Sequence, residues 1–249
     1  MTRDPIMPKS GQKLDAGHRD ALPETQADTT ADIAAFVAKA RAMSAGKSGS
    51  GRLIFALDAT MSRQPTWDLA CQLQADMFRE AGSIGGIDVR LVYFRGLNEC
   101  RASPWISDTA RIAKLMSTIQ CQGGQTQIGR VLSDARREAV ASGVRAIVFV
   151  GDAMEENVDA LCATAGELGL LKVPCFMFQE GHDAVAEAAY REIARLTGGA
   201  WCRFDTGSAA QLRELLRAAA AYAAGGREAL MRLAKSASGA AALLVQMKS

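Results

Sequence analysis

Apolar runs of strand length alternate with amphipathic stretches of helix length from residue 52 onward. The run 146–150 contains no polar residue at all, a pattern typical of strands that are covered on both faces of a sheet. Between the runs, apolar residues recur every three or four positions, as on one face of a helix. The predicted strands are 52–57, 87–94, 99–105, 146–150, 173–178 and 200–204. The predicted helices are 66–81, 108–119, 129–142, 155–168, 184–196, 208–223 and about 226–245.

Regular alternation of strands and helices predicts an α/β fold, with a doubly wound, mostly parallel sheet and helices on both faces. The segment 99–105 is the exception, because a short turn around Gly96-Leu97-Asn98 would pair it as a hairpin with the preceding strand.

Composition divides the chain into four parts. Residues 1–28 are polar and are expected to form a disordered arm. Residues 29–51 hold a predicted helix followed by a Gly/Ser linker. The α/β domain is expected to span 52–224, and 225–249 is expected to form a C-terminal helical extension.

The linker contains Gly46-Lys47-Ser48, which resembles the end of a phosphate-binding loop. That loop requires a glycine five positions before Gly46, where Arg41 stands. It must also follow a strand and open a helix, whereas this segment follows a predicted helix and precedes a strand. We therefore predict no nucleotide site here.

Charge and cysteine content argue against several kinds of binding partner and metal site. The 249 residues carry 29 Lys and Arg against 27 Asp and Glu, which leaves no electrostatic footprint for nucleic acid or an anionic membrane. The sequence shows neither a signal peptide nor an apolar run of the ~18 residues that a membrane span needs. Six cysteines without a CxxC pair are expected to be free thiols of a cytoplasmic protein. Two histidines argue against a zinc cluster.

Oxygen-bearing side chains follow the predicted strands in separate segments. Asp58, Thr60 and Ser62 come after the first strand, Thr126 lies in a glycine-bearing loop before a helix, and Asp152 comes after the strand 146–150. Carboxyl ends of parallel strands meet at one edge of the sheet, where ligands bind. Carboxylates and hydroxyls are hard donors that suit Mg²⁺ or Mn²⁺.

Each residue also has a purely structural interpretation. Asp58 could cap the turn after its strand, and Asp152 could cap the predicted helix 155–168. Thr126 alone would be an ordinary loop residue, whereas Glu155 could line the rim of a site. Sequence alone leaves these alternatives open.

Together the segments resemble the metal-ion-dependent adhesion site (MIDAS) of von Willebrand factor A (VWA) domains. The matching residues are Asp58-Ala59-Thr60-Met61-Ser62, then Thr126 after Gly123-Gly124-Gln125, then Asp152. The resemblance covers roughly residues 50–224 and implies a parallel sheet with one short antiparallel edge strand. It implies that Ser62 and Thr126 bind the ion directly, and that Asp58 and Asp152 do so directly or through water.

The resemblance also implies a function. In the family, an open coordination position on the metal takes an acidic group from a partner, so the expected role is a Mg²⁺-dependent protein–protein interaction module. The chain is similar to bacterial cytoplasmic members, which often act as adaptors in multiprotein complexes, so the expected partner is an intracellular protein. Two departures bear on metal affinity: Thr60 replaces the usual serine, and Ala153 follows Asp152 where glycine is common.

Two alternatives remain. The first is a Mg²⁺-dependent phosphatase or phosphotransferase in which Asp58 becomes phosphorylated. Aspartyl-phosphate hydrolases need a second aspartate where Thr60 stands. Receiver-type domains need a lysine after the fifth strand, whereas Lys172 precedes its strand. A doubly wound domain that binds no metal would use the same residues only for stability.

Overall fold

A six-stranded sheet forms the centre of the fold. The computed structural model describes residues 51–64, 67, 87–205 and 208–247. The strands are β1 (Gly51–Asp58), β2 (Ile87–Arg95), β3 (Glu99–Ala102), β4 (Ala146–Gly151), β5 (Cys175–Glu180) and β6 (Ala200–Phe204). Their order is β3-β2-β1-β4-β5-β6, and every neighbouring pair is parallel except β2 and β3. The predicted fold class is confirmed, including the antiparallel edge strand.

Helices cover both faces of this sheet. They are α1 (Thr109–Met116), α2 (Ile128–Ser142), α3 (Val158–Leu170), α4 (Ala184–Thr197), α5 (Ala209–Leu233) and α6 (Ser238–Gln246). A short 3₁₀ turn, Met61–Arg63, follows β1.

Alternate residues of the central strands enter two separate cores. On β1, Leu53, Phe55 and Leu57 join a cluster that includes apolar residues of α1, α5 and α6. Ile54 and Ala56 point the other way, into a cluster with α2, α3 and α4. Because both faces are buried, β1 is apolar along nearly its whole length, which is the pattern visible in the sequence.

The helix predicted over 155–168 starts later than expected. It begins at Val158, because the Asn157 side chain accepts a hydrogen bond from the backbone N–H of Ala160 at 3.0 Å and caps the first turn. The interpretation of Asp152 as the cap of this helix is therefore wrong.

The helix predicted over 226–245 is also wrong. Helix α5 instead runs on to Leu233 across a kink at Gly225–Gly226, where Gly226 has a φ of +64°. The chain then turns, and α6 packs back on α5 and β6. At the crossing, a Cβ on Gly239 would lie 2.8 Å from the carbonyl carbon of Glu214, so only glycine allows this close approach.

Helix α6 also covers the outer edge of β6. The Gln246 side-chain amide accepts from the backbone N–H of Trp201 at 2.9 Å and donates to its carbonyl oxygen at 2.7 Å. These contacts replace a neighbouring strand at this position, which protects the edge against pairing with another chain.

Several predicted features lie outside the described residues. These are the arm 1–28, the helix and linker of 29–51 apart from Gly51, and nearly all of the helix 66–81. Trp67, which falls within that last segment, is buried and donates its indole N–H to the carbonyl oxygen of Ile119 at 3.0 Å. No helix in the described part of the chain combines the length and apolar character that crossing a membrane requires.

Candidate metal centre

The chain turns sharply after β1, and Asp58 organises the turn. Asp58 is fully buried, and its Oδ1 accepts a hydrogen bond from the backbone N–H of Thr60 at 2.8 Å. The turn brings the Thr60 and Ser62 hydroxyl oxygens within 3.0 Å of each other. Thr60 is buried and Ser62 is exposed, so the pair of hydroxyls runs from the interior to the surface.

The second oxygen of Asp58 has no such partner. Oδ2 is buried and accepts no hydrogen bond from the described residues. The pKa of Asp58 is raised to about 6, chiefly by burial and also by the charge of Asp152, against the lowering effect of the Thr60 hydrogen bonds. Because burial disfavours the ionised form of Asp58, a nearby positive charge would stabilise that form.

Asp152, the first residue after β4, presents a second oxygen of the same kind. Its Oδ1 is buried without a hydrogen-bond partner among the described residues. The Tyr190 hydroxyl donates to the carbonyl oxygen of the adjacent Ala153 at 2.8 Å. Burial raises the pKa of Tyr190 well above its usual value, and the charges of Asp58 and Asp152 raise it further. Both carboxylates therefore lie within electrostatic reach of one tyrosine hydroxyl.

The loop that carries Thr126 is fixed against the ends of β1 and β2. The backbone N–H of Gln122 donates to the carbonyl oxygen of Ala59 at 3.0 Å, and that of Gln125 donates to Gly96 at 3.2 Å. A Cβ on Gly124 would lie 2.0 Å from the Gly96 carbonyl oxygen, so the close approach requires glycine.

Thr126 itself is held by the segment that follows Asp152. Its hydroxyl accepts from the backbone N–H of Glu155 at 3.1 Å, and its own N–H donates to the Glu155 carboxylate at 3.2 Å. The Glu156 carboxylate accepts from the first N–H groups of α2, including that of Gly129 at 2.9 Å. Two consecutive glutamates thus fasten the Thr126 loop to the Asp152 loop.

The predicted site residues are therefore gathered at one edge of the sheet. Asp58 does cap its turn, as the structural interpretation proposed, but with one oxygen only. Thr126 is a buried residue with two cross-loop hydrogen bonds rather than an ordinary loop threonine. Glu155 is exposed, and its carboxylate accepts a hydrogen bond from the backbone N–H of Thr126. That Glu155 lines the rim of a metal site stays a prediction.

Sequence reasoning missed a buried ion pair beside the site. Arg63 Nη1 lies 2.8 Å from Glu180 Oε2, and their side chains are 0% and 5% exposed. Arg63 directly follows Ser62, and Glu180 ends β5, directly after Gln179 and the apolar run 175–178. The sequence shows that Arg63 and Glu180 are charged residues shortly after predicted strands. It does not show whether they form a buried ion pair or are two separate side chains in solvent.

The donor set fits a hard divalent cation. Two buried carboxylate oxygens accept no hydrogen bond within the described part of the chain, and they lie at the same sheet edge as the Thr60 and Ser62 hydroxyls. Oxygen ligands of this kind suit Mg²⁺ and Mn²⁺. Within the described ranges, no three His, Cys, Asp or Glu side chains are grouped to hold a metal, so a cation here would depend on hydroxyl ligands.

Solved structures with the same architecture support the fold. A von Willebrand factor type A protein from Catenulispora acidiphila is 18% identical and has a TM-score of 0.56, over 71% of this chain and 43% of that one. Proximal thread matrix protein 1 from the mussel byssus, with a zinc-occupied MIDAS motif, is 16% identical with a TM-score of 0.58, over 69% and 46%.

A third structure matches over nearly its whole length. An aerotolerance-related membrane protein from Bacteroides fragilis is 18% identical and has a TM-score of 0.52, over 68% of this chain and 98% of that one. No protein-family model and no curated protein matches the sequence. At these identities the comparisons establish architecture, and the chain has the fold of von Willebrand factor A domains.

Proposed function

We propose that the domain binds a divalent cation, Mg²⁺ or Mn²⁺, at this sheet edge and uses it to bind an acidic side chain of an intracellular partner protein. The proposed ligands are Asp58, Thr60, Ser62, Thr126 and Asp152. The observation that carries the proposal is the pair of buried carboxylate oxygens, Asp58 Oδ2 and Asp152 Oδ1, which accept no hydrogen bond from the residues that the structure describes. Leaving such oxygens unpaired costs stability, and a cation offsets that cost.

The charge and the exposure of the proposed ligands determine how a partner carboxylate would approach the cation. Thr60 and Ser62 are neutral, so the hydroxyl ligands do not cancel the positive charge that a bound cation supplies to an incoming carboxylate. Ser62 is exposed whereas Asp58 is buried, so the site opens to solvent on its hydroxyl side. The mussel protein with a zinc-occupied MIDAS motif supports a metal at this place in the fold.

The enzymatic alternative finds less support. Thr60 occupies the position where an aspartyl-phosphate enzyme needs its second carboxylate. Lys172 lies in the turn between α3 and β5, at the end of β5 opposite Glu180. A lysine at that end of the strand is remote from Asp58. We therefore propose a binding module and not a catalyst, with an adaptor role in a cytoplasmic complex as the expected setting.

Thermal unfolding tests the metal site. Wild type and Asp58→Asn are compared in EDTA, Mg²⁺ and Mn²⁺, since a ligand that binds only the folded state raises stability by mass action. We expect a rise in melting temperature with either ion in wild type and none in Asp58→Asn. Equal responses of the two proteins would overturn the assignment. A partner capture with and without EDTA then tests the interaction.

A further inference from the structure

A tyrosine hydroxyl is buried on the inner face of α4, close to the proposed ligands. Tyr190 is fully buried, on the helix face that also buries Ala189 and Ile193. Its ring meets that of Phe149 on β4 edge to face, with 5.4 Å between the ring centroids. A phenylalanine would fill the same space without a buried hydroxyl, which is costly unless it is hydrogen-bonded.

The hydrogen bond of this hydroxyl reaches the segment that carries Asp152. The hydroxyl donates to the carbonyl oxygen of Ala153, the next residue, at 2.8 Å. A Cβ on Gly151 would lie only 2.8 Å from the Tyr190 hydroxyl oxygen. Glycine at the end of β4 therefore lets the phenol lie directly against the backbone that leads into Asp152.

The Asp152 carboxylate depends on this backbone for its direction. Its buried Oδ1 accepts no hydrogen bond from the residues that the structure describes. Asp58, by contrast, is held through its Oδ1 by the backbone N–H of Thr60. Where no hydrogen bond orients Oδ1, the backbone on either side of Asp152 fixes where that oxygen lies, and Tyr190 holds this backbone from α4.

We propose that Tyr190 is a positioning residue of the metal site, whose hydroxyl holds the backbone at Ala153 and so keeps the Asp152 carboxylate in place to bind the cation. The inference rests on the proposed function, because it presupposes that a divalent cation binds to Asp58 and Asp152. Tyr190 itself is no ligand. A ligand that is already oriented need not be ordered when the cation binds, so the hydrogen bond raises the affinity.

A matched pair of variants separates this role from simple support of the fold. Tyr190→Phe removes the hydroxyl and keeps the ring. Thr197→Val is the control, because it also removes a buried hydroxyl from α4. The Thr197 hydroxyl lies at the other end of the helix, where it accepts from the backbone N–H of Cys175 at 3.0 Å, at the opposite edge of the sheet.

Two measurements are made on wild type and both variants. Both variants should unfold at a lower urea concentration than wild type in EDTA, because each loses a buried hydrogen bond. Calorimetric titration with Mn²⁺ should give an affinity about tenfold weaker for Tyr190→Phe and within about twofold of wild type for Thr197→Val.

A second comparison tests whether the effect acts through Asp152. In the Asp152→Ala background, Tyr190→Phe should change the Mn²⁺ affinity by less than about twofold, because the side chain that it positions is gone. A full loss in that background would place the action of Tyr190 elsewhere and overturn the proposal. If Asp152→Ala binds Mn²⁺ too weakly to titrate, the comparison of Tyr190→Phe with Thr197→Val decides alone.

The outcomes keep the two proposals distinct. Absence of Mn²⁺ binding in wild type overturns the metal site and this inference with it. Unchanged affinity in Tyr190→Phe, or equal losses in Tyr190→Phe and Thr197→Val, overturns the inference alone. A loss of affinity confined to Tyr190→Phe supports the positioning role.

Discussion

Thr126 and Glu155 form a reciprocal pair of hydrogen bonds between two loops. The Thr126 hydroxyl accepts from the Glu155 backbone N–H at 3.1 Å, and the Glu155 carboxylate accepts from the Thr126 N–H at 3.2 Å. The arrangement resembles a helix capping box in which the two residues come from different segments. It holds a proposed ligand at a fixed distance from the loop that carries Asp152.

Removing the Glu155 carboxylate should loosen this connection. We expect Glu155→Ala to lower the free energy of unfolding by about 1 kcal/mol, because the buried N–H of Thr126 loses its acceptor. The Thr126 loop would then have to be ordered again when the metal binds, so Mn²⁺ affinity should fall about fivefold. Glu155→Gln keeps an acceptor oxygen and serves as the control, with a smaller effect expected in both measurements. Equal effects of the two substitutions would contradict the role given to the hydrogen bond.

Asp58 should destabilise the metal-free protein at neutral pH. Its pKa is raised from 3.8 to about 6 on folding, so the ionised form is disfavoured in the folded state. The shift corresponds to at most about 3 kcal/mol. We therefore expect Asp58→Asn to unfold at a higher denaturant concentration than wild type in EDTA at pH 7.5. A large loss of stability would instead indicate that the carboxylate charge is already satisfied within the protein.

The same shift predicts a pH dependence. The folded protein binds the Asp58 proton more tightly than the unfolded chain, so this group favours folding below about pH 4. That contribution is lost as the pH rises through about 6. The difference in unfolding free energy between Asp58→Asn and wild type in EDTA should therefore grow between pH 4 and pH 7. A difference that does not vary with pH would contradict the raised pKa.

The affinity for metal should rise with pH, whereas the contribution of Asp58 to the stability of the metal-free protein falls. A cation requires Asp58 in its ionised form, so protons compete with it below about pH 6. We expect Mn²⁺ affinity to be nearly constant above pH 7 and to fall steadily between pH 6 and pH 5. Calorimetric titrations across this range, at pH values where the folded state is intact, provide the measurement. A constant affinity down to pH 5 would remove Asp58 from the ligand set.

Gln246 makes a separate prediction for the sheet edge. Its amide occupies both the N–H and the carbonyl oxygen of Trp201, at 2.9 and 2.7 Å. We expect Gln246→Ala to cost about 1–2 kcal/mol of unfolding free energy and to promote association through the exposed edge of β6. The neighbouring Val245 is 87% exposed, so Val245→Ala should change stability by less than about 0.5 kcal/mol. Denaturant unfolding and light scattering distinguish the two variants.

Much of the fold was predictable because burial on both faces leaves a direct trace in the sequence. The run 146–150 is apolar throughout, which predicts a strand covered on both faces, and it lies in the middle of the sheet as part of β4. The C-terminal helices were harder, because the break after Leu233 depends on how α6 packs back on α5 and β6. Local periodicity does not record that tertiary contact.

The candidate site was predictable in composition but not in geometry. Asp58 and Asp152 were identifiable because they follow strands, and sheet topology brings such positions together. The ion pair of Arg63 and Glu180 was not, since burial of a charge depends on neighbours distant in sequence. Nor could sequence show that Glu155 reaches back to Thr126, because their contact joins separate loops.

Direct detection of Mn²⁺ binding by electron paramagnetic resonance tests the central claim most directly. Free Mn²⁺ gives a signal that is lost on binding, so wild type should remove a single ion per chain, and Mg²⁺ should release it. Thr60→Ser keeps the hydroxyl and should bind like wild type, whereas Thr60→Val keeps the shape without the hydroxyl and should bind at least about tenfold more weakly. An undiminished free Mn²⁺ signal with wild type, or equal binding by Thr60→Val, would contradict the metal site.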